Sequence, residues 1–289
     1  MIKCIAIDMD GTLLTATQQI TAENRAAIRR AQSQGIEVII ATGRSYTEAS
    51  FVLDAAGLTC PMICANGAEI RSISKEIVAA HSLEKPIAKQ VAFIFEKQSL
   101  YFEVYTNKGT YTLDEDKAVS IMVDIFLSAN PEADVNKVVK AAEKRVTEGL
   151  VHKVESYDLL FHDDEHQIYK LLAFSFEHGI LTEAKKGLVK LEGLAISSSG
   201  EENLEITSVN AQKGIALEKF VQANGMELKD TMAIGDNYND LSMFKRAGLS
   251  VAMGNADETI KAQCDKVTLT NEESGVAKAI EDVLAGGMK

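Results

Sequence analysis

The sequence predicts an α/β fold: a doubly wound parallel sheet of the Rossmann-like kind, with a second α+β domain inserted into the chain. Two observations lead to this prediction. Short apolar runs alternate with amphipathic helical segments near both ends of the chain, as they do in doubly wound sheets. Between these parts, helical segments mix with alternating strand-like ones that have apolar positions of their own. We therefore expect a core domain of residues 1–82 and 209–289, interrupted by an inserted domain of residues 83–208.

The first predicted strand, residues 2–7, is almost continuously apolar, which is typical of a strand buried on both faces of a parallel sheet. Asp8 and Asp10 follow it, and Gly11 permits a tight turn. Ligands of open α/β sheets bind beyond the carboxyl ends of the strands. Residues two apart in an extended chain point the same way, so these carboxylates repel each other unless a proton or a cation intervenes. The stretch indicates a divalent metal site, although a strand that ends in an ordinary polar turn fits it about equally well.

The next elements continue the alternation of helix and strand. Thr21 can cap a helix that Gly35 ends. A second buried strand is predicted over residues 36–41, a helix over residues 46–56 and a third strand over residues 62–65. This order of strand, helix, strand, helix and strand forms one half of a doubly wound sheet, with right-handed crossovers.

The second predicted strand runs directly into Thr42, Gly43 and Arg44. A hydroxyl group and a glycine amide at the carboxyl end of a strand would suit a phosphate oxygen. The simpler interpretation is a strand-to-helix turn in which the threonine caps the helix. On this segment alone, the simpler interpretation is favoured.

The middle of the chain has a mixed pattern. Helices are predicted over residues 86–98 and 116–128, and strands over residues 100–105 and 110–113. Further helical and strand-like segments follow at residues 135–148, 168–176 and 194–199. The run from His162 to His166 consists of five side chains that can bind metal. Its spacing does not match a metal site, and a charged run of this kind is usually a solvated loop. We therefore predict a loop there.

Strand and helix alternate again after the insertion. A helix predicted over residues 210–224 carries Lys213 in its first turn, where a cation opposes the helix dipole. The lysine is therefore either present for a ligand or, as is commoner, solvated. A short strand over residues 231–234 precedes three polar side chains: Asp236, Asn239 and Asp240. One of the last two can also cap the following helix. Two more strands are predicted, over residues 249–253 and 267–269. A helix from about residue 256 and a last helix over residues 275–284 complete the sheet and its cover.

Composition excludes several classes of protein. The chain has 289 residues, 46% of them hydrophobic, and a formal net charge of −12. That charge argues against nucleic acid or an anionic membrane as a partner, because both attract clustered Lys and Arg. No apolar run reaches membrane-spanning length, and the N-terminal run is too short for a signal peptide, so we expect a cytoplasmic protein. The four cysteines, expected to be reduced, are Cys4, Cys60, Cys64 and Cys264.

Four segments at strand ends or helix starts carry the candidate site: Asp8 with Asp10, Thr42 with Gly43, Lys213, and Asp236 with Asn239 and Asp240. This ordered set resembles the four motifs of the haloacid dehalogenase (HAD) superfamily of phosphatases. The inserted domain resembles the cap of the Cof-type branch, which lies between the second and third motifs. The resemblance covers the whole chain, and no motif position departs from the pattern. It implies an HAD core with an inserted α+β cap domain.

The resemblance also implies a role for each motif residue. Asp8 is the nucleophile that forms an aspartyl-phosphate, and Asp10 is the general acid and base. Mg²⁺ is bound by Asp8, Asp236 and the backbone carbonyl of Asp10, because it prefers oxygen ligands and usually takes a few carboxylates. The phosphate-binding residues are Lys213, Thr42, Gly43, Asn239 and the backbone amide of Met9. Asp240 is a supporting residue that orients Lys213 or the metal ligands.

The implied reaction is Mg²⁺-dependent hydrolysis of small phosphorylated metabolites, first sugar phosphates and then nucleoside monophosphates or phosphorylated cofactors. A phosphosugar mutase with the same site and a non-catalytic phosphometabolite-binding protein stay open as alternatives. A response-regulator receiver is far shorter and has no cap, and a nucleotide-binding oxidoreductase would need a Gly-rich fingerprint after the first strand. No nucleic-acid or membrane partner is expected, and the sequence leaves open whether the protein is a monomer or a homodimer.

Overall fold

The protein is described here by a computed structural model that covers residues 1–129 and 135–286. The chain divides into two compact units, each built from more than one segment. The first comprises Met1–Arg44, Ala49–Ala80 and Gln212–Lys289, and the second comprises Ser45–Glu48 and His81–Ala211. The domain boundaries expected from the sequence, at residues 83 and 208, stay predictions.

The described residues form fourteen strands and eleven α-helices. The strands are β1 (Cys4–Ile7), β2 (Glu37–Ala41), β3 (Met62–Cys64), β4 (Glu69–Arg71), β5 (Ile77–Ala80), β6 (Tyr101–Thr106), β7 (Gly109–Thr112), β8 (Val151–Lys153), β9 (Ile168–Phe174), β10 (Leu194–Ser197), β11 (Asn203–Ser208), β12 (Thr231–Gly235), β13 (Leu249–Ala252) and β14 (Lys266–Val267). The helices are α1 (Ala22–Ser33), α2 (Tyr46–Ala56), α3 (Lys85–Lys97), α4 (Glu115–Ala129), α5 (Val135–Thr147), α6 (Asp158–His162), α7 (His178–Leu188), α8 (Lys213–Ala223), α9 (Leu241–Phe244), α10 (Glu258–Lys261) and α11 (Gly275–Leu284).

The first unit contains an eight-stranded sheet in the order β14-β13-β12-β1-β2-β3-β4-β5. The pairs from β14 to β3 are parallel, which confirms the predicted doubly wound parallel sheet. Strand β1 lies in the middle, with Ile7 opposite Ile40 of β2 and Ile234 of β12. The carboxyl ends of these three strands therefore meet at one edge of the sheet, where the candidate site residues follow them.

The antiparallel strands β4 and β5 at one side of this sheet were not predicted. Strand β4 has only three residues, and most of β5 is exposed. Three residues are too few to show a periodic apolar pattern, and an exposed strand such as β5 has no buried face that would produce one.

Local sequence signals explain where α1 begins and ends, and α2 lies where the sequence predicts a helix. Thr21 Oγ1 accepts a hydrogen bond from the Asn24 backbone N–H at 3.1 Å and so caps α1. Gly35 follows the end of α1 with a φ angle of 77°, a conformation that costs glycine least. The predicted helix over residues 46–56 coincides with α2.

The second unit contains a six-stranded sheet in the order β10-β11-β9-β6-β7-β8, antiparallel except for the β7–β8 pair. One face packs against α3 and α7 through buried apolar residues such as Phe95, Val104 and Leu171. On β6, Phe102 and Val104 belong to this apolar cluster, whereas Glu103, between them in the sequence, does not. Glu103 is nevertheless buried. Its carboxylate accepts hydrogen bonds from Arg145 at 3.2 and 3.3 Å. The inserted α+β architecture expected from the sequence is confirmed.

The run from His162 to His166 forms the end of α6 and a loop, as predicted. Its acids lie beside lysines: Lys108 Nζ is 2.7 Å from Glu165 Oε2, and Lys85 Nζ is 3.4 Å from Asp164 Oδ1. All four cysteines are free thiols, and three of them are buried. Wherever the structure describes the chain, its helices are too short or too polar to cross a lipid bilayer.

Candidate active site

Asp8 is the first residue after β1 and lies at the centre of the sheet's carboxyl edge. Its backbone N–H donates to the Ile234 carbonyl at 3.0 Å, which extends the pairing of β1 with β12. The side chain is buried, with an exposed fraction of 7%. Burial raises the pKa of Asp8 to about 7, with help from the negative charges of Asp240 and Asp10 and against the opposing effect of Lys213.

Lys213 is the first residue of α8 and contacts two carboxylates. Its Nζ donates to Asp8 Oδ1 at 2.6 Å and to Asp240 Oδ1 at 2.7 Å, and its side chain is fully buried. Burial alone would lower the pKa of Lys213, but the neighbouring Asp240 and Asp8 outweigh it and raise that pKa. The lysine is therefore a fixed positive charge beside Asp8, not a solvated surface residue.

Asp240 supports this lysine and the turn after β12. While one carboxylate oxygen accepts from Lys213, the other accepts from the backbone N–H groups of Asp236 and Asn237, at 3.0 and 3.1 Å. With the Asn237 side chain it forms a capping box at the start of the short helical turn. The residue that caps this turn is Asn237, and Asp240 is its partner three residues later; at the start of α9 the Asp240 side chain makes no capping hydrogen bond.

Asp236 lies against the turn that follows β1. Thr12 Oγ1 donates to Asp236 Oδ1 at 2.7 Å. Gly11 has a φ angle of 76°, and a Cβ atom there would collide with the Asp236 carboxylate, so glycine is required both by conformation and by close approach. Burial raises the pKa of Asp236 well above its usual value, and the charges of Asp8 and Asp240 raise it further.

These three aspartates offer oxygen ligands close together. One carboxylate oxygen from each of Asp8, Asp236 and Asp240 lies within 4.8 Å of the other two. Lys213 supplies one positive charge against three acids, so the cluster favours an additional cation. Oxygen-only donors suit Mg²⁺. Because both oxygens of Asp240 already accept hydrogen bonds, Asp8 and Asp236 are the better candidates for binding a metal through their side chains.

Asp10 points to a different partner. Arg44 donates to both oxygens of its carboxylate, from Nε at 2.8 Å and from Nη2 at 2.5 Å. The same Nη2 also contacts Gln18 Oε1. The Asp10 side chain is 49% exposed, whereas the Arg44 side chain is 18% exposed. The second aspartate of the first segment is therefore held by an arginine of the second segment.

The predicted phosphate-binding residues follow β1, β2 and β12 at the same edge. Thr42 is buried, its Oγ1 accepts from the Arg44 backbone N–H at 3.1 Å, and its carbonyl accepts from the Asn66 backbone N–H at 3.0 Å. Asn239 Nδ2 donates to Asn66 Oδ1 at 3.4 Å. Met9 is buried between the two aspartates, and Gly43 follows Thr42 directly. Their binding roles stay predictions.

Four polar residues of the site had no role in the sequence-based prediction: Thr12, Gln18, Arg44 and Asn66. Arg44 and Thr12 each lie within two residues of a predicted site residue, and a cation or a hydroxyl group there was a usable signal. Gln18 and Asn66 gave no comparable signal, because their contacts depend on how distant segments fold together.

A buried acid–lysine site at the carboxyl edge of a doubly wound sheet is typical of enzymes that transfer phosphoryl groups by charge neutralisation and positioning. The family model for haloacid dehalogenase-like hydrolases matches residues 5–280. Phosphatase YwpJ of Bacillus subtilis is 38% identical over 284 residues, covering 98% of this chain and 100% of the relative. In the same organism, 5-amino-6-(5-phospho-D-ribitylamino)uracil phosphatase YwtE is 38% identical, with coverage of 98% and 99%.

A solved haloacid dehalogenase-like hydrolase from B. subtilis superposes with a TM-score of 0.91 at 38% identity, covering 97% of this chain and 99% of the other. The chain belongs to the haloacid dehalogenase-like hydrolases, and within that family it is a phosphatase. This confirms the family resemblance drawn from the four sequence segments.

Proposed function

We propose that the protein hydrolyses phosphate monoesters of small metabolites, with Mg²⁺, through an aspartyl-phosphate formed on Asp8. The observation that carries this proposal is the contact of 2.6 Å between Asp8 Oδ1 and Lys213 Nζ. A carboxylate that attacks a phosphate dianion meets charge repulsion, so a fixed cation at the point of attack is what the reaction needs.

In the first step, an Asp8 carboxylate oxygen attacks phosphorus as the bond from phosphorus to the ester oxygen breaks. The Asp10 carboxyl group gives its proton to that ester oxygen, and the alcohol leaves. In the second step, water attacks the phosphorus of the aspartyl-phosphate and passes a proton to Asp10. Inorganic phosphate departs, and Asp8 returns to its original state.

The remaining residues of the edge bind the phosphate group. Lys213 neutralises part of its charge, and the hydroxyl of Thr42 and the amide of Asn239 donate hydrogen bonds to its oxygens. The backbone amides of Met9 and Gly43 complete this set. Such donors act most strongly where water is excluded, and both Thr42 and Lys213 are buried.

Asp8, Asp236 and the backbone carbonyl of Asp10 would hold Mg²⁺. The crowding of three carboxylates within 4.8 Å supports a divalent cation, and all of the proposed ligands are oxygens. Mg²⁺ bound there supplies positive charge that offsets the charge of the phosphate group.

The proposed substrates are sugar phosphates and related phosphorylated polyols, with nucleoside monophosphates or phosphorylated cofactors next. The relative YwtE is named for a substrate that carries its phosphate on a ribityl chain, which falls within this chemical class. A cytoplasmic location is part of the same proposal, because phosphorylated metabolites of this kind are intracellular.

A phosphometabolite screen with and without Mg²⁺ tests the proposal. We expect free phosphate from several sugar or polyol phosphates, loss of that activity on chelation, and no turnover of an aryl phosphate by Asp8→Asn. Asp230→Asn, which alters a surface ion pair with Lys3, is the control and should keep its activity. Isomerised sugar phosphate without free phosphate would indicate a mutase, and normal turnover by Asp8→Asn would exclude Asp8 as the nucleophile.

A further inference from the structure

Arg44 directly follows Thr42 and Gly43, and two nitrogens of its guanidinium group donate hydrogen bonds to the Asp10 carboxylate. The distances are 2.8 Å from Nε to Oδ2 and 2.5 Å from Nη2 to Oδ1. Two parallel N–H···O bonds fix the plane of a carboxylate as well as its position. Lysine, a single point donor, does not have this geometry. The arginine therefore determines the direction in which the Asp10 carboxyl group points.

The arginine is itself fixed at both ends. Its backbone N–H donates to Thr42 Oγ1 at 3.1 Å, and its carbonyl accepts from the Ala65 backbone N–H at 2.8 Å. At the other end, the guanidinium group contacts Gln18, in the segment between β1 and α1. Asp10 is half exposed, so burial alone would leave several side-chain rotamers open to it. A largely buried arginine with a fixed backbone restricts that choice.

We propose that Arg44 is a positioning residue for Asp10, which it holds in the orientation needed to pass a proton to the leaving oxygen. This inference rests on the proposed function, in which Asp10 is the general acid, and it adds a residue to which the proposed function gives no role. When Asp10 carries the proton, one carboxyl oxygen donates to the ester oxygen while the other still accepts from Arg44. As the bond from the Asp8 oxygen to phosphorus forms and the ester bond breaks, the proton moves to the departing alcohol.

The test compares two esters that differ in their need for a proton. An alkyl phosphate, such as a sugar phosphate that the enzyme hydrolyses, releases a basic alkoxide that must be protonated, whereas dinitrophenyl phosphate releases a stable phenolate. Values of kcat/KM report the steps up to departure of this group. General acid catalysis contributes roughly 10²- to 10⁴-fold, and a small misplacement of a catalytic group can cost about 10²-fold. Arg44→Gln should therefore lower kcat/KM about 10²-fold for the alkyl ester and less than about 3-fold for dinitrophenyl phosphate.

The matched control is Arg71→Gln. The Arg71 side chain is 17% exposed, and its Nε lies 2.5 Å from Glu69 Oε1, so this substitution also breaks a partly buried arginine–carboxylate pair. It should leave the ratio of the two kcat/KM values unchanged. Arg44→Lys keeps the positive charge but cannot donate two parallel hydrogen bonds to the Asp10 carboxylate. It should give an intermediate loss of kcat/KM on the alkyl ester. Retained turnover of dinitrophenyl phosphate shows in each variant that the protein is folded.

A double substitution separates positioning from direct binding. In an Asp10→Asn background, Arg44→Gln should cause little further loss, because the group that Arg44 positions is already absent. Equal losses on both esters, losses that add to those of Asp10→Asn, or a change in KM alone would overturn the inference. A wild-type enzyme that hydrolyses neither ester would refute the proposed function itself. An active enzyme with an unchanged ratio in Arg44→Gln would refute the positioning role alone.

Discussion

Replacing Lys213 with methionine should destabilise the protein and do so more strongly as the pH rises. The substitution keeps an unbranched side chain and removes the buried charge that lies 2.6 Å from Asp8 and 2.7 Å from Asp240. Breaking a buried ion pair by removing one partner typically costs about 3 to 5 kcal/mol, because a buried charge is left uncompensated. We expect a loss of this size in the free energy of unfolding at about pH 8.

The pH dependence follows from Asp8. Its pKa in the folded protein is already raised to about 7, chiefly by burial, and Lys213 opposes that rise. Without the lysine the folded pKa is higher still, so the variant loses additional stability as the pH rises through that range. At about pH 5.5, Asp8 carries a proton in both proteins, and the difference in unfolding free energy should be smaller.

Urea unfolding at both pH values, without added metal, measures this difference. The same variant should lose about 10²- to 10³-fold in kcat on an aryl phosphate, the usual effect of removing one charge-stabilising donor, and should no longer be stabilised by inorganic phosphate. Lys170→Met is the control, because it removes another buried lysine, 3.1 Å from Glu205 in the second unit, and should leave stabilisation by phosphate intact. A penalty that is equal at both pH values, with phosphate stabilisation unchanged, would refute the reasoning.

Three further predictions concern the metal site and the support of α8. Thr12→Val removes the donor to Asp236 Oδ1 and should weaken Mg²⁺ activation about 10-fold, as loss of a hydrogen bond to a metal ligand commonly does; Mg²⁺ titration of activity measures this. Gly67→Ala, at a φ angle of 103° with the Gln212 backbone in the way of a Cβ atom, should cost about 1 to 3 kcal/mol in urea unfolding. It should also lower kcat by displacing the start of α8. Stabilisation of the protein by Mg²⁺ in thermal melts should increase from about pH 5.5 to about pH 8, because Mg²⁺ must displace a proton from Asp8, whose pKa is raised to about 7.

Each of these predictions has a control and a contradicting outcome. Thr12→Ser keeps the hydroxyl group and should retain Mg²⁺ activation; equal weakening in both variants would contradict a role for the hydrogen bond. Gly35→Ala has a similar positive φ angle of 77° with nothing within 4 Å of a Cβ atom, so it should keep kcat; equal losses in kcat would exclude displacement of α8 as the cause. Stabilisation by Mg²⁺ that does not change with pH would mean that no proton is displaced at Asp8.

The sequence predicted those parts of the fold that depend on local signals. Strands β1, β2 and β12 are continuous apolar runs, and α1 has a threonine cap and a glycine stop. The hairpin β4–β5, in which β4 has three residues and β5 is mostly exposed, has no such signal and was missed. Likewise, the candidate aspartates could be placed at one edge because parallel strands end together.

Pairing of side chains across the site could not be predicted in the same way. Whether Arg44 would reach Asp10, 34 residues away in sequence, or whether Thr12 would reach Asp236, 224 residues away, depends on side-chain direction after folding. The burial of Lys213 reversed the commoner interpretation of a solvated lysine, because burial is a property of packing between distant segments. Local patterns thus located the site, while its internal contacts required the three-dimensional structure.

Chemical trapping during turnover tests the covalent role of Asp8 most directly. Borohydride reduces an acyl phosphate to an alcohol, so enzyme quenched with borohydride while it hydrolyses a phosphate ester should carry an alcohol in place of the Asp8 carboxyl group. Peptide mass spectrometry locates that change, and enzyme quenched without substrate should not show it. Full turnover with an unmodified Asp8, or reduction at a different carboxyl group, would contradict Asp8 as the residue that accepts the phosphoryl group.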